Sequence, residues 1–427
     1  MRLQFLVLLV LFFSLGIINA QEIDSKTFRN YDYIYKKHIK SVQFYPFESE
    51  IDYPILSLHS PGHFVLSFDD MEAYTKDFSY KIIHCNANWE PTLELDPIDY
   101  IDGFQENRFY ESQNSFSTKV PYTHYEVKIP NEDIKWTKSG NYLLKVYRDN
   151  DENDLIITRR FMIVDTKIKV VPQLRRSATP PNALSHQELF FVIEHAGFKI
   201  GNVNEQIQTA ILQNGRWNNS IINLQPTYIK DEEIGYNMHG KLIFPGYKEF
   251  RPLDIRSFRF RTLQVEQLQE YNNGFELWLF EDVNRQHIAH LFTHDLNGNF
   301  LIETHDERDA TLEGEYGDIN FSLKALTPYN GDVYLLGGFN NFQPKEEFKM
   351  TYNDNRRGYQ LTTKLKNGFY DYIYGLAEKN SNKINFKILE GSSFETENDY
   401  LFLVYFKEFG GLYDQLVAYQ KFNTRPN

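Results

Sequence analysis

Short apolar runs recur along the chain, and turn-forming residues separate them. Residues 143–147, 156–164, 333–336 and 401–406 are rich in β-branched and aromatic side chains, which pack well on a pleated surface. Asn-Gly pairs stand at Asn214-Gly215, Asn273-Gly274, Asn297-Gly298, Asn330-Gly331 and Asn367-Gly368. Each can adopt the positive φ angles of a tight hairpin turn. Long amphipathic patterns with a helical period are hard to find; residues 262–271 are the best short helix candidate. The pattern predicts an all-β chain. The 29 tyrosines and 35 phenylalanines point the same way, because rings suit half-buried sheet faces.

Two places have the pattern of a tyrosine corner, in which a Tyr entering a late strand of an immunoglobulin-like sandwich bonds back to the backbone. They are Ser139-Gly140-Asn141-Tyr142 and Asn367-Gly368-Phe369-Tyr370, each just before a strand-like run. Two corners predict two sandwiches. The Pro-, Arg- and Ser-rich stretch 171–181 reads as a linker or domain entrance, and the acidic stretch 303–317 as a second break. The expected organisation is a signal segment at 1–20 and an N-terminal sandwich at 21–166. A middle β domain at 167–310 and a C-terminal sandwich at 311–427 follow.

Residues 1–20 have the three parts of a secretory signal: Arg2, an apolar run from Leu3 through Ile18, and small Ala20 ahead of Gln21-Glu22. Cleavage after Ala20 is expected. No later stretch has the ~18 consecutive apolar residues of a membrane helix, and no cysteine follows the cleavage site to carry a lipid. The expected product is soluble and exported. The full chain's formal net charge of −13 opposes nonspecific nucleic-acid binding and polybasic attachment to lipid. Cys85 is the one cysteine, so stability must come from packing without an internal disulfide.

Candidate chemistry is sparse. His287, His290, His294 and Asp295 are the most enzyme-like cluster. His290 and His294 share a face at i and i+4, but no HExxH arrangement exists, and a hairpin strand with outward polar residues is the plainer reading. Asp295-Leu296-Asn297-Gly298-Asn299 resembles a calcium loop only superficially, because Phe300 and Asp306 stand where an EF-hand needs Gly and Glu. His84 and Cys85 are neighbours in a strand and face opposite ways. No phosphate loop or nucleophile elbow is present. Nothing requires an enzyme, a metal or a cofactor.

One segment breaks the acidic background: Pro245-Gly246-Tyr247-Lys248-Glu249-Phe250-Arg251-Pro252, continuing to Arg256, Arg259 and Arg261. Arginine and aromatic residues together are favoured in protein interfaces. Phe250, Arg251 and Arg256 are therefore the candidate interface residues. A loop leading into a strand with alternating arginines explains the segment equally well.

Longer segments carry a resemblance. They include Ser41-Val42-Gln43-Phe44-Tyr45, Leu66-Ser67-Phe68-Asp69-Asp70, YKIIHCNANW at 80–89, SGNYLLKVY at 139–147, Asn214-Gly215-Arg216-Trp217 and Phe250-Arg251-Pro252-Leu253-Asp254. Together they resemble the plug proteins of the type IX secretion system of Bacteroidetes. That resemblance implies a periplasmic, non-enzymatic subunit held at the outer membrane by a partner. The partner it implies is the giant outer-membrane translocon barrel, whose periplasmic mouth such proteins close. No nucleic acid, direct membrane insertion or small-molecule ligand is implied. The C-terminal part, VYLLGGFNNF at 333–342 and Gly368-Phe369-Tyr370-Asp371-Tyr372, resembles starch- and glycogen-binding immunoglobulin-like modules. Those grip sugars on an aromatic platform, and Phe342 occupies a position often held by Trp. A periplasmic or surface glycan-binding protein is therefore the alternative reading.

Overall fold

The computed structural model describes residues 27–180, 182–378 and 383–425; the expected signal segment at 1–20 lies outside them. Among the described residues strands dominate, and helices are single turns such as Pro97–Tyr100 and Lys387–Glu390. None of the helices is long and apolar enough to cross a membrane.

The first domain is a two-sheet sandwich. One sheet runs Tyr33–Ile34, Asp151–Val164, Gly140–Arg148, Phe78–Cys85 and Glu106–Arg108, with Ile55–Ser57 parallel to Asp151–Val164. The facing sheet runs Ile39–Pro46, Phe64–Asp70, Thr123–Ile129 and Glu111–Asn114. Phe64, Phe68, Tyr80, Tyr125, Tyr142 and Phe161 fill the space between them. Strand Phe64–Asp70 is buried along its whole length. Phe64, Leu66 and Phe68 serve the sandwich core, and alternation turns Asp69 to the other face, which the third domain covers.

Both tyrosine corners form. The Tyr142 hydroxyl donates to the Lys138 carbonyl at 2.7 Å, and the Tyr370 hydroxyl to the Lys366 carbonyl at 2.8 Å. Gly140 sits at φ +143°, and a Cβ there would lie 2.5 Å from the His84 ring, so no larger residue fits that corner. Asn214 and Gly215 make the expected two-residue hairpin turn, both at positive φ.

Strand pairing divides the rest of the chain differently from the expected cuts at 310 and 311. The middle domain has one sheet of Lys169–Arg176, His186–Glu194, Glu233–Tyr236 and Tyr228–Ile229, with Ile243–Pro245 also on His186–Glu194. Its second sheet is Arg216–Ile222, Ile207–Gln213, Asp399–Phe406 and Gln415–Asn423. The last two strands of the chain thus complete the middle domain, where Tyr400, Phe402, Val404 and Val417 join Leu189, Phe191 and Ile193 in one core. Between them a third sandwich is inserted. Its sheets are built on Gly368–Glu378, which pairs with Arg251–Asp254, Phe300–Ile302 and Gly331–Leu336, and on Val265–Tyr271, Gly274–Leu279, Tyr316–Lys324, Gly358–Lys366 and Thr351–Asn353.

The short helix expected over 262–271 is instead the edge strand Val265–Tyr271, paired with Gly274–Leu279. An isolated helix of that length is marginal. Pairing in a sheet that buries Val265, Leu277 and Leu279 prevails.

Candidate protein interface

The candidate interface residues Phe250 and Arg251 are buried where the inserted domain leaves the middle domain. Phe250 packs edge-on against Phe342, ring centroids 5.9 Å apart. Arg251 donates to Asp282 Oδ1 at 2.6 Å and grips both oxygens of Glu390 at 3.1 Å. Arg285 adds a bond to Glu390 at 2.6 Å. Burial alone would raise the Glu390 carboxyl, but the two guanidiniums hold it below its ordinary value. Removal from solvent corrects the expectation that Phe250 and Arg251 face a partner; both serve the internal joint. Arg256 stays partly exposed, forked onto Asp254 at 3.0 and 2.7 Å and reaching Glu303 at 3.2 Å.

The histidine cluster does not assemble. Residues 283–299 form a loop rather than the expected hairpin strand, and His290 lies 3.6 Å from Glu249 while His294 meets the Phe292 ring edge-on. Among the described residues, the one His and carboxylate group close enough for a metal is His38, Asp70 and Glu72. The Lys76 ammonium already bridges its two carboxylates. His84 and Cys85 face apart as alternation requires. His84 bonds Thr92 at 2.9 Å, and burial pushes it down to about 4. Cys85 lies in the seam with the middle domain, and burial pushes its thiol up to about 12. Its alkylation rate in the folded protein at neutral pH is expected to be lower by roughly a thousandfold than after denaturation, the factor that three pKa units take from the thiolate. Thiol-labelling rates with and without denaturant measure this.

Three seams bind the domains pairwise. Between the first and middle domains, Leu143, Met162 and Val164 meet Leu212, Leu401 and Leu416 in a shared apolar cluster. Trp89 and Trp217 meet edge to face at 5.0 Å with Arg160 over both rings. The buried Tyr405 hydroxyl donates to Asn141 at 2.9 Å. Between the first and third domains, Asp69 accepts from Lys366 at 2.8 Å and from Tyr316 at 2.7 Å, while its other oxygen meets His124 at 2.7 Å. Lys366 also lies over the Tyr122 ring, and Tyr122 donates to the Thr311 and Gly314 carbonyls. The Lys345 ammonium donates to the Ile34 carbonyl at 2.7 Å. Between the middle and third domains, Gly246 passes so close to Ser393 that a Cβ would lie 1.9 Å from its carbonyl oxygen. These contacts are buried and apolar or ion-paired, unlike the polar interfaces of domains that move freely.

A cleft opens beside the first seam, where residues 95–99 and 408–415 meet. Its volume is about 260 Å³, and apolar Leu95, Leu412 and Tyr413 line it together with Asp99, Lys138, Glu408, Gly411 and Gln415. Leu93 and Phe409, each 90% exposed, and Ile98, 77% exposed, lie within two residues of that lining. Single exposed apolar residues are ordinary, and those beside a cleft are candidates for contact with a partner. The sequence signal was a turn, Phe409-Gly410-Gly411-Leu412, that carries apolar residues where turns are usually polar.

Residues 39–165 match the family described as type 9 secretion system plug protein 1st domain. The chain is also similar to a solved structure, a hypothetical protein from Parabacteroides merdae ATCC 43184. The two share 27% identity over 93% of this chain and 100% of that one, with a TM-score of 0.89. No curated protein matches.

Proposed function

We propose that the whole chain is a non-catalytic plug, on the footing that residues 39–165 match the family described as type 9 secretion system plug protein 1st domain. It binds the periplasmic mouth of the secretion system's outer-membrane translocon barrel and closes it. The observation that carries this reading is the family match, joined to a body whose three domains are seamed pairwise. A protein-sized pore left open would abolish the membrane barrier. Closing it takes a bulky body that resists deformation, and buried seams supply that rigidity. The face around Leu93, Ile98, Phe409 and Leu412 is the proposed contact, because docking would remove its apolar side chains from water at about 25 cal/mol per Å².

One observation disfavours the glycan-binding alternative. Phe342, at the position of a sugar platform, is buried against Phe250.

Affinity capture from detergent-solubilised outer membranes is expected to recover a very large barrel protein with the wild-type chain. Phe409→Asp combined with Leu93→Asp is expected to lose at least about tenfold of that recovery, a penalty near 1.4 kcal/mol, with an unchanged melting temperature. Deleting the protein is expected to raise outer-membrane permeability to large solutes. An intact barrier with the translocon otherwise open would sink the reading, as would retention on polysaccharide without any barrel.

A further inference from the structure

The middle and inserted domains are joined by two crossings of the chain. The outward one runs from strand Ile243–Pro245 to Arg251–Asp254, and the return runs from helix Lys387–Glu390 to strand Asp399–Phe406. Glu249 lies on the first crossing and Glu397 on the second. Asp295 and Asp371 come from the inserted domain and meet them there. Asp371 accepts from the Leu296 amide at 2.5 Å and the Gly298 amide at 3.0 Å. Asp295 accepts from the Phe250 amide at 2.6 Å, and Glu249 from the Glu397 amide at 3.2 Å. Glu397 accepts from Asn297 at 3.1 Å and from Asn423.

Glu249 and Asp371 are buried and Asp295 and Glu397 partly so, and all four differ from most buried carboxylates in the protein. Asp69 has Lys366, Asp70 has Lys76, and Glu390 has Arg251 and Arg285. Among the described residues no lysine or arginine pairs with Glu249, Asp295, Asp371 or Glu397, and the cations nearby are committed elsewhere. Lys248 donates to the Arg285 and Ile288 carbonyls. Arg285 holds Glu390 and the Glu249 carbonyl, and Arg425 sits on the Phe292 ring. His290, 3.6 Å from Glu249, is itself pushed down by burial, with Glu395 as an opposing influence. Glu249 and Asp371 are almost wholly buried, and each keeps one oxygen with no hydrogen-bond partner. A buried charge in that state costs far more than a buried carboxylic acid.

We propose that this double crossing is a proton-held joint, closed while Glu249 and Asp371 carry their carboxyl protons and loosened when they ionise. Burial, with the charges of Asp295 and Glu397 added, pushes Glu249 up to about 8. Burial also pushes Asp295 up to about 6, and lifts Asp371 well above the ordinary carboxylate range. Groups with raised folded pKa values bind more protons in the folded protein than in the unfolded one. Their stabilisation is complete below the ordinary carboxylate range and is lost as pH rises through the folded values. His38, His84, His186 and His290, with lowered values, and Lys345, lowered to about 8, run the opposite way and stabilise the fold as pH rises, whereas Asp69 and Glu390, held low by their partners, lose stabilisation only on the acid side. Between pH 6.5 and 8 the joint therefore works against these groups, and the difference between wild type and variants of the joint reads its share.

Scanning calorimetry of the full chain tests this. The melting temperature of the wild type is expected to fall by roughly 3–6 °C from pH 6.5 to 8. Glu249→Gln is expected to remove at least half of that fall and to melt higher than wild type at pH 8. Asp371→Asn, which keeps the acceptor for the Leu296 and Gly298 amides, is expected to do the same and decides the matter if Glu249→Gln does not fold. A wild-type slope in the folded variants would overturn the proposal. So would stoichiometric calcium uptake that raises the melting temperature at pH 8, since the carboxylates would then be charged and filled by metal.

Discussion

Lys366→Ala is expected to destabilise the protein by about 3–5 kcal/mol, the cost of leaving a buried charge without its partner. Lys366 and Asp69 are both almost fully buried, 2.8 Å apart, in strands of different domains. Removing the ammonium leaves Asp69 with the Tyr316 hydroxyl and the His124 ring but no lysine or arginine. The same substitution deletes the cation over Tyr122 and the bond to the Thr311 carbonyl, so the first and third domains lose their common anchor. Denaturant unfolding and calorimetry read the loss directly. Replacing both partners, Asp69→Asn with Lys366→Met, is expected to recover most of it, because no charge is then left buried alone. Recovery would separate the electrostatic cost from a packing defect, which the double variant would share.

A larger effect is expected from cutting the chain. A fragment of residues 248–394 contains every strand of the inserted sandwich and its core from Leu253 to Leu389. It is expected to fold and melt cooperatively by itself. A fragment of residues 311–427 lacks Arg251–Asp254, Gly274–Leu279 and Phe300–Ile302, and it carries Asp399–Phe406 without its partner Ile207–Gln213. It is expected to stay unfolded, with random-coil circular dichroism and no cooperative transition. Removing residues 395–427 from the full chain takes two of four strands from one sheet of the middle domain, and that domain is expected to unfold while the first keeps its own core.

What the sequence shows most clearly is local. Each tyrosine corner needs a glycine, a tyrosine and a strand within a few residues, so Tyr142 and Tyr370 were legible before any pairing was known. Alternation placed His84 and Cys85 on opposite faces for the same reason. Partner choice between strands is non-local, and residues 399–423 read equally well as the end of a last domain or the completion of an earlier one. Only the pairing with Ile207–Gln213 decides. Composition likewise marks Phe250 and Arg251 without separating an exposed anchor from a buried ion pair, because both use arginine beside aromatic rings. Lys366 gave no signal at all, since a lysine in an alternating strand ordinarily points to water.

The return of the chain to the middle domain also bears on the order of folding. Ile211 lies beside Phe402, a pairing between positions about 190 residues apart, and such closures come late and slowly because their entropy is lost before the contacts form. The first and inserted sandwiches each draw on one continuous stretch and can form while strand Ile207–Gln213 still waits for its neighbour. Until then that strand presents an unpaired, apolar edge of the kind that invites intermolecular pairing. The last step of folding therefore covers this edge and completes the seam between the first and middle domains, and the chain is most vulnerable to aggregation just before its final strands arrive.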